Sequence, residues 1–249
     1  MKKIATLLVA ASLLSGCTLV PDVSSSRASS SAPRYAMTSS TGPAATPRSP
    51  VAQPSAPQTS GLPVAGSAQD RQCLANLNAV GAEFIALPDQ YTGQGCSTVG
   101  TVRMSALRGE SANMSIANIG PVKCGVGTAF AAWARYGVDR AAQQILGSPL
   151  ARIETMGSYS CRNVAGSNRR SAHATAGAID ISGFVLEDGR RIVLTDDWNG
   201  GTRQEKEFLR TIQRSACKRF ATVLGPEYNA AHRDHFHLEG VIDGSSFCR

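Results

Sequence analysis

Apolar residues recur at helical spacing in two stretches of this chain. From Cys124 to Leu146, the residues Val126, Phe130, Trp133, Ala134, Val138, Ala141, Ala142 and Ile145 predict a helix with one buried face. Gly147 and Pro149 end it, and Gly137 is a point where it can break or bend. From Gln204 to Leu224, Phe208, Leu209, Ile212, Ala216, Phe220 and Val223 make the inner stripe of a second helix. Arg210, Arg214, Lys218 and Arg219 lie mostly outside it, and Gly225-Pro226 stops it. Strands are predicted at Arg152–Met156, Gly177–Leu186, Arg190–Thr195 and His235–Ile242, with Glu187-Asp188-Gly189 as a hairpin turn. The expected order is a helical first part with one short strand, an antiparallel hairpin, a helix and a final strand. That is an α+β domain whose antiparallel sheet packs against helices on one face.

The N-terminal residues follow neither pattern. Lys2 and Lys3 precede an apolar stretch, Ile4 to Leu14, too short to span a bilayer as a permanent helix. It leads to Leu14-Ser15-Gly16-Cys17, which resembles the lipobox of bacterial lipoproteins. The resemblance implies a signal peptide, 1–17, cut before Cys17, with Cys17 lipidated. Several acyl chains at ~0.8 kcal/mol per buried CH2 make a lasting membrane anchor. Thr18 rather than Asp follows, which in that class implies the periplasmic face of the outer membrane. Residues 18–68 then read as a tether. The part from 23 to 68 has seven Pro, three Arg and no acidic residue. Such a segment buries too little apolar area to offset its ordering entropy.

Residues 69–249 are left as one domain, long enough for a real core. The whole chain carries a formal charge of +7, but the domain holds 20 basic and 17 acidic residues, and no nucleic-acid-binding motif is present. Nucleic acid is therefore not an expected partner. The domain has six cysteines: Cys73, Cys96, Cys124, Cys161, Cys217 and Cys248. An even number after an export signal, with no CxxC pair, predicts three disulfides. Their connectivity stays open among 15 pairings, with Cys73–Cys96 the most local.

Only four histidines occur, in two clusters. His173 forms H-x6-D with Asp180, and His232, His235 and His237 form H-x2-H-x-H. Zinc in hydrolases takes three ligands from His and Asp or Glu and keeps a fourth position for water. On a strand, His235 and His237 project to one face and Phe236 to the other. Fully extended, His173 and Asp180 would lie ~23 Å apart, so sharing an ion requires a turn, which Ala176-Gly177-Ala178 permits. Asp180 enters an apolar strand, where a buried carboxylate must be paired or metal-bound. Four His and Asp180 exceed three ligands, so at least one His is left for work other than ligation, and a neutral imidazole beside bound water suits a general base.

These residues also meet a known pattern. SAHATAGAID resembles the S-x-H-x-x-G-x-A-x-D motif of LAS-type zinc peptidases, at Ser171, His173, Ala178 and Asp180. Ala176 stands where the motif has Gly. HRDHFH is similar to the second motif of the penicillin-insensitive murein endopeptidase branch. The wider chain, roughly Cys73 to Cys248, resembles bacterial proteins with an extensin-like C-terminal domain, through SYSCR, SxHA, AIDISGF, DGR, FLR, LGP and HRDHFHLE. The resemblance implies a LAS/hedgehog-like zinc peptidase core in which His173, Asp180 and His237 bind Zn2+. It implies His235 as general base and His232 as a site-lining residue. It also implies an upstream Arg for the developing oxyanion. Arg162 is the candidate, although it also reads as a surface Arg beside a disulfide. Arg169 and Arg170 are further candidates, and Ser171 supports His173.

The expected function is a zinc-dependent peptidase acting on peptidoglycan stem peptides or crosslinks in the cell envelope. A non-catalytic wall-binding or envelope-tethering lipoprotein is the alternative. Loops at Asp196–Arg203 and Pro88–Gly95 are expected to shape the pocket.

Overall fold

The computed structural model describes residues 66–249. The predicted signal peptide, Cys17 and the tether up to residue 65 lie outside the described residues. Among the described residues, no helix is long and apolar enough to cross a membrane. The first helix, α1 (Ala68–Ala79), is opened by a reciprocal cap: Ser67 accepts from the Asp70 amide, and Asp70 accepts from the Ser67 amide.

The domain is a mixed α+β structure built on one large sheet. The strands are β1 (Ala82–Ala86), β4 (Thr101–Arg108), β5 (Asn113–Ala117), β6 (Val122–Lys123), β7 (Leu150–Gly157), β8 (Ala178–Leu186), β9 (Arg191–Val193), β10 (Thr222–Leu224), β11 (Phe236–Glu239) and β12 (Phe247–Cys248). Their order is β1-β4-β5-β7-β8-β11-β10-β12, with β6 paired to β4 and β9 to β8. A separate small ribbon joins β2 (Tyr91–Gly93) and β3 (Cys96–Ser97).

Two features correct the sequence-based reading. The region before Cys124 carries six strands rather than none. The alternation of buried Val102 and Met104 with exposed Arg103 and Ser105 is the pattern that makes β4. The sheet is also not wholly antiparallel: β5 runs parallel to β7, and β10 parallel to β12. The first parallel pair follows from the helix between its strands, because parallel neighbours need a long crossover.

That crossover is the predicted helix. It begins as α2 (Cys124–Trp133) and widens into π-helical turns at Ala134–Asp139 and Ala142–Leu146. Gly147, at φ 74°, ends it in the left-handed conformation that Gly adopts without penalty. The wide turns leave Asp139 buried, where it accepts from the amides of Glu110 and Leu150 and from Gln143. Leu194–Asp197 forms α3, a single short turn.

The second predicted helix stops early, as α4 (Arg203–Ala216), capped by Thr202 and Glu205. Phe208, Leu209, Ile212 and Ala216 are buried on it as expected. Phe220 and Val223 are equally buried but not helical, because Thr222–Leu224 pairs as β10 between β11 and β12. Trp133 joins the two helices by donating to the Ile212 carbonyl (3.0 Å), and packs among Phe130, Phe184 and Phe220.

Three disulfides brace the domain: Cys73–Cys124, Cys96–Cys161 and Cys217–Cys248. The local Cys73–Cys96 option is not taken. Each bridge instead fastens a peripheral element to a distant one.

Candidate metal centre

His173 sits on a short 3-10 turn, Ala172–Thr175. Its amide donates to the Ser171 hydroxyl (3.4 Å), and its carbonyl accepts from the Ser160 amide. Ala176 ends the turn at φ 54°, a left-handed conformation with a steric cost for any residue with a Cβ. Its carbonyl accepts from the Lys123 amide, and the next carbonyl, of Gly177, accepts from the Gly240 amide. The chain thus reverses between His173 and Asp180, at the small residues the sequence offered.

Asp180 lies on β8 opposite His237 on β11, in antiparallel register. Alternation sends Asp180, His237 and Glu239 to the open side of the sheet. Ile179, Ile181, Phe236 and Leu238 go into the core. Asp180 Oδ1 is 2.9 Å from His237 Nδ1, and Oδ2 is 3.1 Å from His173 Nε2. The two imidazole nitrogens are themselves 3.1 Å apart.

The outer nitrogens decide what this triangle is. His173 Nδ1 lies 3.2 Å from the Ser158 carbonyl, and His237 Nε2 lies 3.0 Å from Glu239 Oε2. A carbonyl and a carboxylate only accept, so each outer nitrogen carries the hydrogen. In neutral rings the inner nitrogens then present lone pairs to each other and to the Asp180 carboxylate. Three acceptors facing one another with little access to water, two of them buried, repel unless a cation lies between them. Tetrahedral coordination at ~2.0–2.1 Å puts ligand atoms about 3.3–3.4 Å apart, within a few tenths of the distances here. The residues therefore fit a metal ion. His173, Asp180 and His237 are the candidate ligands, each offering one atom within 4.8 Å of the others.

A proton is the other cation that could fill the gap, and the electrostatics describe that metal-free case. Burial works against His237 charging, but hydrogen bonds to Asp180 and Glu239 outweigh it and raise its pKa to about 9. Burial likewise opposes the Asp180 charge, yet hydrogen bonds from His173 and His237 hold the carboxyl well below its usual range. The His237 hydrogen bond lowers Glu239 in turn.

The other two histidines flank the triangle. His235 is buried just before β11. Its Nδ1 lies 2.8 Å from Asp234 Oδ1, which leaves Nε2 facing the site, 3.6 Å from Asp180 Oδ1. His232, on the turn Ala230–His232, donates from Nδ1 to Asn229 Oδ1 at 2.7 Å and meets the Tyr228 ring edge-on. Its ring is 5.1 Å from that of His235 and 5.8 Å from that of His237. Burial, then the charges of His235 and His237, lower His232 to about 4.

The arginine candidates separate. Arg170 donates to the Gln94 carbonyl and to Asn163 Oδ1, so it fastens loops rather than serving the site. Arg162 is exposed, yet its charge helps keep His232 neutral, and the Arg169 charge helps lower Glu239. Of the two expected pocket loops, Pro88–Gly95 reaches this side through Gln94 and through a Thr92–Tyr159 hydroxyl contact. Asp196–Arg203 does not. Its Trp198 packs on Phe236 and under Arg210, on the helix-covered face.

Three contributors escaped the sequence reading. Glu239 extends the 235-237-239 alternation, so its place was readable. Asp234 lies inside HRDHFH, where nothing in the spacing assigns it a role. Ser158 acts through its backbone carbonyl, for which no side-chain signal exists.

No curated protein and no solved structure matches this chain. The profile described as extensin-like protein C-terminus matches residues 71–249, nearly all of the described domain and both histidine clusters. The chain belongs to that family.

Proposed function

We propose that this protein is a zinc-dependent hydrolase of amide bonds in peptidoglycan stem peptides or crosslinks. In this reading it is held at the cell envelope by a lipidated Cys17. The observation that carries the reading is the convergence of His173, Asp180 and His237, with His235 Nε2 unligated beside them. A purely structural metal site would have no use for a fourth, oriented imidazole at 3.6 Å.

His173, Asp180 and His237 would hold the ion. When bound, it would polarise the scissile carbonyl and acidify water. Asp234 accepts the Nδ1 hydrogen of His235, so the lone pair stays on Nε2. From there His235 takes the proton of the attacking water and returns it to the leaving amine. The neutral His232 lines the same face, and with its Nδ1 hydrogen held by Asn229 Oδ1 its Nε2 can accept a hydrogen bond from substrate. Arg162 supplies fixed positive charge for the carbonyl oxygen as it gains negative charge. The LAS-type likeness and the lipobox support the substrate class and the location.

The alternative is a non-catalytic wall-binding or tethering module, for which Ala176 in the motif glycine's place is the ground. Ala176 nevertheless adopts the left-handed conformation that a glycine there would serve. The decisive experiment is metal analysis of the purified protein, then mass spectrometry of defined muropeptides incubated with wild type and His235→Ala. Cleavage by wild type alone, with equal zinc in both, is the expected result. No cleavage by wild type, together with retention on sacculi, would leave the binding module as the better reading.

A further inference from the structure

The segment from Ser160 to Ser171 holds three arginines and no acidic residue, and it leads directly into the turn that carries His173. It is a short antiparallel hairpin. Ser171 donates its amide to the Arg162 carbonyl, Asn163 bridges Arg170, and Val164 donates to the Arg169 carbonyl.

That register sorts the side chains by face, since alternate residues point oppositely. Cys161, Asn163 and Arg170 share one face. Their contacts agree: Cys161 is bonded to Cys96, and Arg170 binds Asn163 and the Gln94 carbonyl. This face is fastened to the β2–β3 ribbon. Arg162, Arg169 and Ser171 share the other face. Arg162 and Arg169 are diagonal neighbours there, a relation that puts Cβ atoms roughly 7 Å apart.

Arg162 donates only to the neighbouring Asn163 carbonyl, at 3.4 Å. Among the described residues, the Arg169 guanidinium has no hydrogen-bond or ion-pair partner. The nearby carboxylate of Glu239 is already committed to His237. Two like charges therefore stand side by side next to the triangle, neither of them in an ion pair, on a support pinned by a disulfide. Guanidinium groups so placed match the fork of a carboxylate.

We infer that Arg169 is a specificity residue that binds a carboxylate of the substrate, with Arg162 beside it facing the scissile bond. This rests on the hydrolase reading for the bond that is cut, though not for the binding itself. The ligand class is a peptide carrying a free carboxylate near the scissile amide. The same peptide with that carboxylate masked should be a poor ligand.

The test uses the full-length, zinc-loaded protein and two muropeptides, one with free carboxylates and one with the same groups converted to primary amides. Wild type should favour the free acid about five- to tenfold, expressed in KM and in the calorimetric dissociation constant, and less so at high salt. Arg169→Gln should abolish the preference, and Arg169→Glu should turn it toward the amide. Arg169→Lys should retain part of it. Zinc content and thermal midpoint, measured in parallel, report whether each variant is folded. Equal binding of both peptides by wild type, or an unchanged preference in Arg169→Glu, would overturn the inference. If neither peptide is cleaved but binding shows the preference and its loss, the hydrolase reading fails and the carboxylate site stands.

Discussion

Ala176 holds a backbone conformation that costs a residue with a Cβ about 1–2 kcal/mol. It is fully buried, so its methyl contributes some packing in return. Ala176→Gly would relieve the strain while losing that methyl and adding unfolded-state freedom, and should leave stability within about 1 kcal/mol. Ala176→Val should cost about 2–3 kcal/mol and weaken metal binding, because a β-branched residue resists this φ. Thermal denaturation and metal analysis of both variants check this. Titration acts on the same residues. His237 is raised from 6.5 to about 9, so its pairing stabilises the metal-free protein fully below pH 6.5 and is lost as pH rises through 9. Asp180 is lowered, so its contribution holds above its ordinary range and fades as pH falls far below it. His232, lowered to about 4, costs stability as pH falls from 6.5 through 4. The chelated protein should therefore be most stable near pH 6.5 and lose on the order of 2–3 kcal/mol by pH 10. Calorimetric melts across pH 5–10 give the answer; a steady rise above pH 7 would contradict it. A metal ion entering at pH 7 should displace about one proton, seen as a dependence of binding heat on the buffer's ionisation enthalpy.

At the scale of elements, β11 does two jobs through one alternation. Phe236 and Leu238 anchor it in the core, while His237 and Glu239 face the site. Glu239 holds the outer nitrogen of His237, so Glu239→Ala should lower metal affinity about 10–100-fold, while Glu239→Gln, which keeps an acceptor, should lose less. Competition with a chromogenic chelator measures both. The disulfide Cys217–Cys248 ties the end of α4 to β12 across 31 residues. Removing it as the double Ser variant should cost about 2–4 kcal/mol and speed hydrogen exchange in β10 and β12 before the rest of the sheet. The early end of α4 is not legible in the sequence. Phe220 and Val223 continue the helical spacing of Phe208 and Ile212, and nothing in the spacing marks where it stops. The vacancy between β11 and β12 decides it, because β-branched Thr222 and Val223 gain two sheet partners there.

For the molecule as a whole, helices cover one face of the sheet and the metal centre lies on the other, near its middle strands. Two stretches far apart in sequence meet there: the turn after Ser171 leading into β8, and β11. Because ligands come from separate elements, chelation should loosen the sheet centre as well as empty the site, and zinc should raise the melting midpoint in proportion to the logarithm of its excess. The sequence by itself determined the residue types of the site, the two helical faces, the reversal at Ala176-Gly177, and the division of β11 into a core face and a site face. These follow from local periodicity, which a chain carries whatever its neighbours are. Tertiary structure alone decided the three cysteine pairings, the parallel β5–β7 and β10–β12 ladders, and the halt of α4. It also decided which arginines of the Ser160–Ser171 hairpin face the ligands and the anchoring of His173 by the Ser158 carbonyl. Each of these depends on which distant backbone lies alongside. That choice is made by burying the whole apolar surface at once, and no window of adjacent residues contains it.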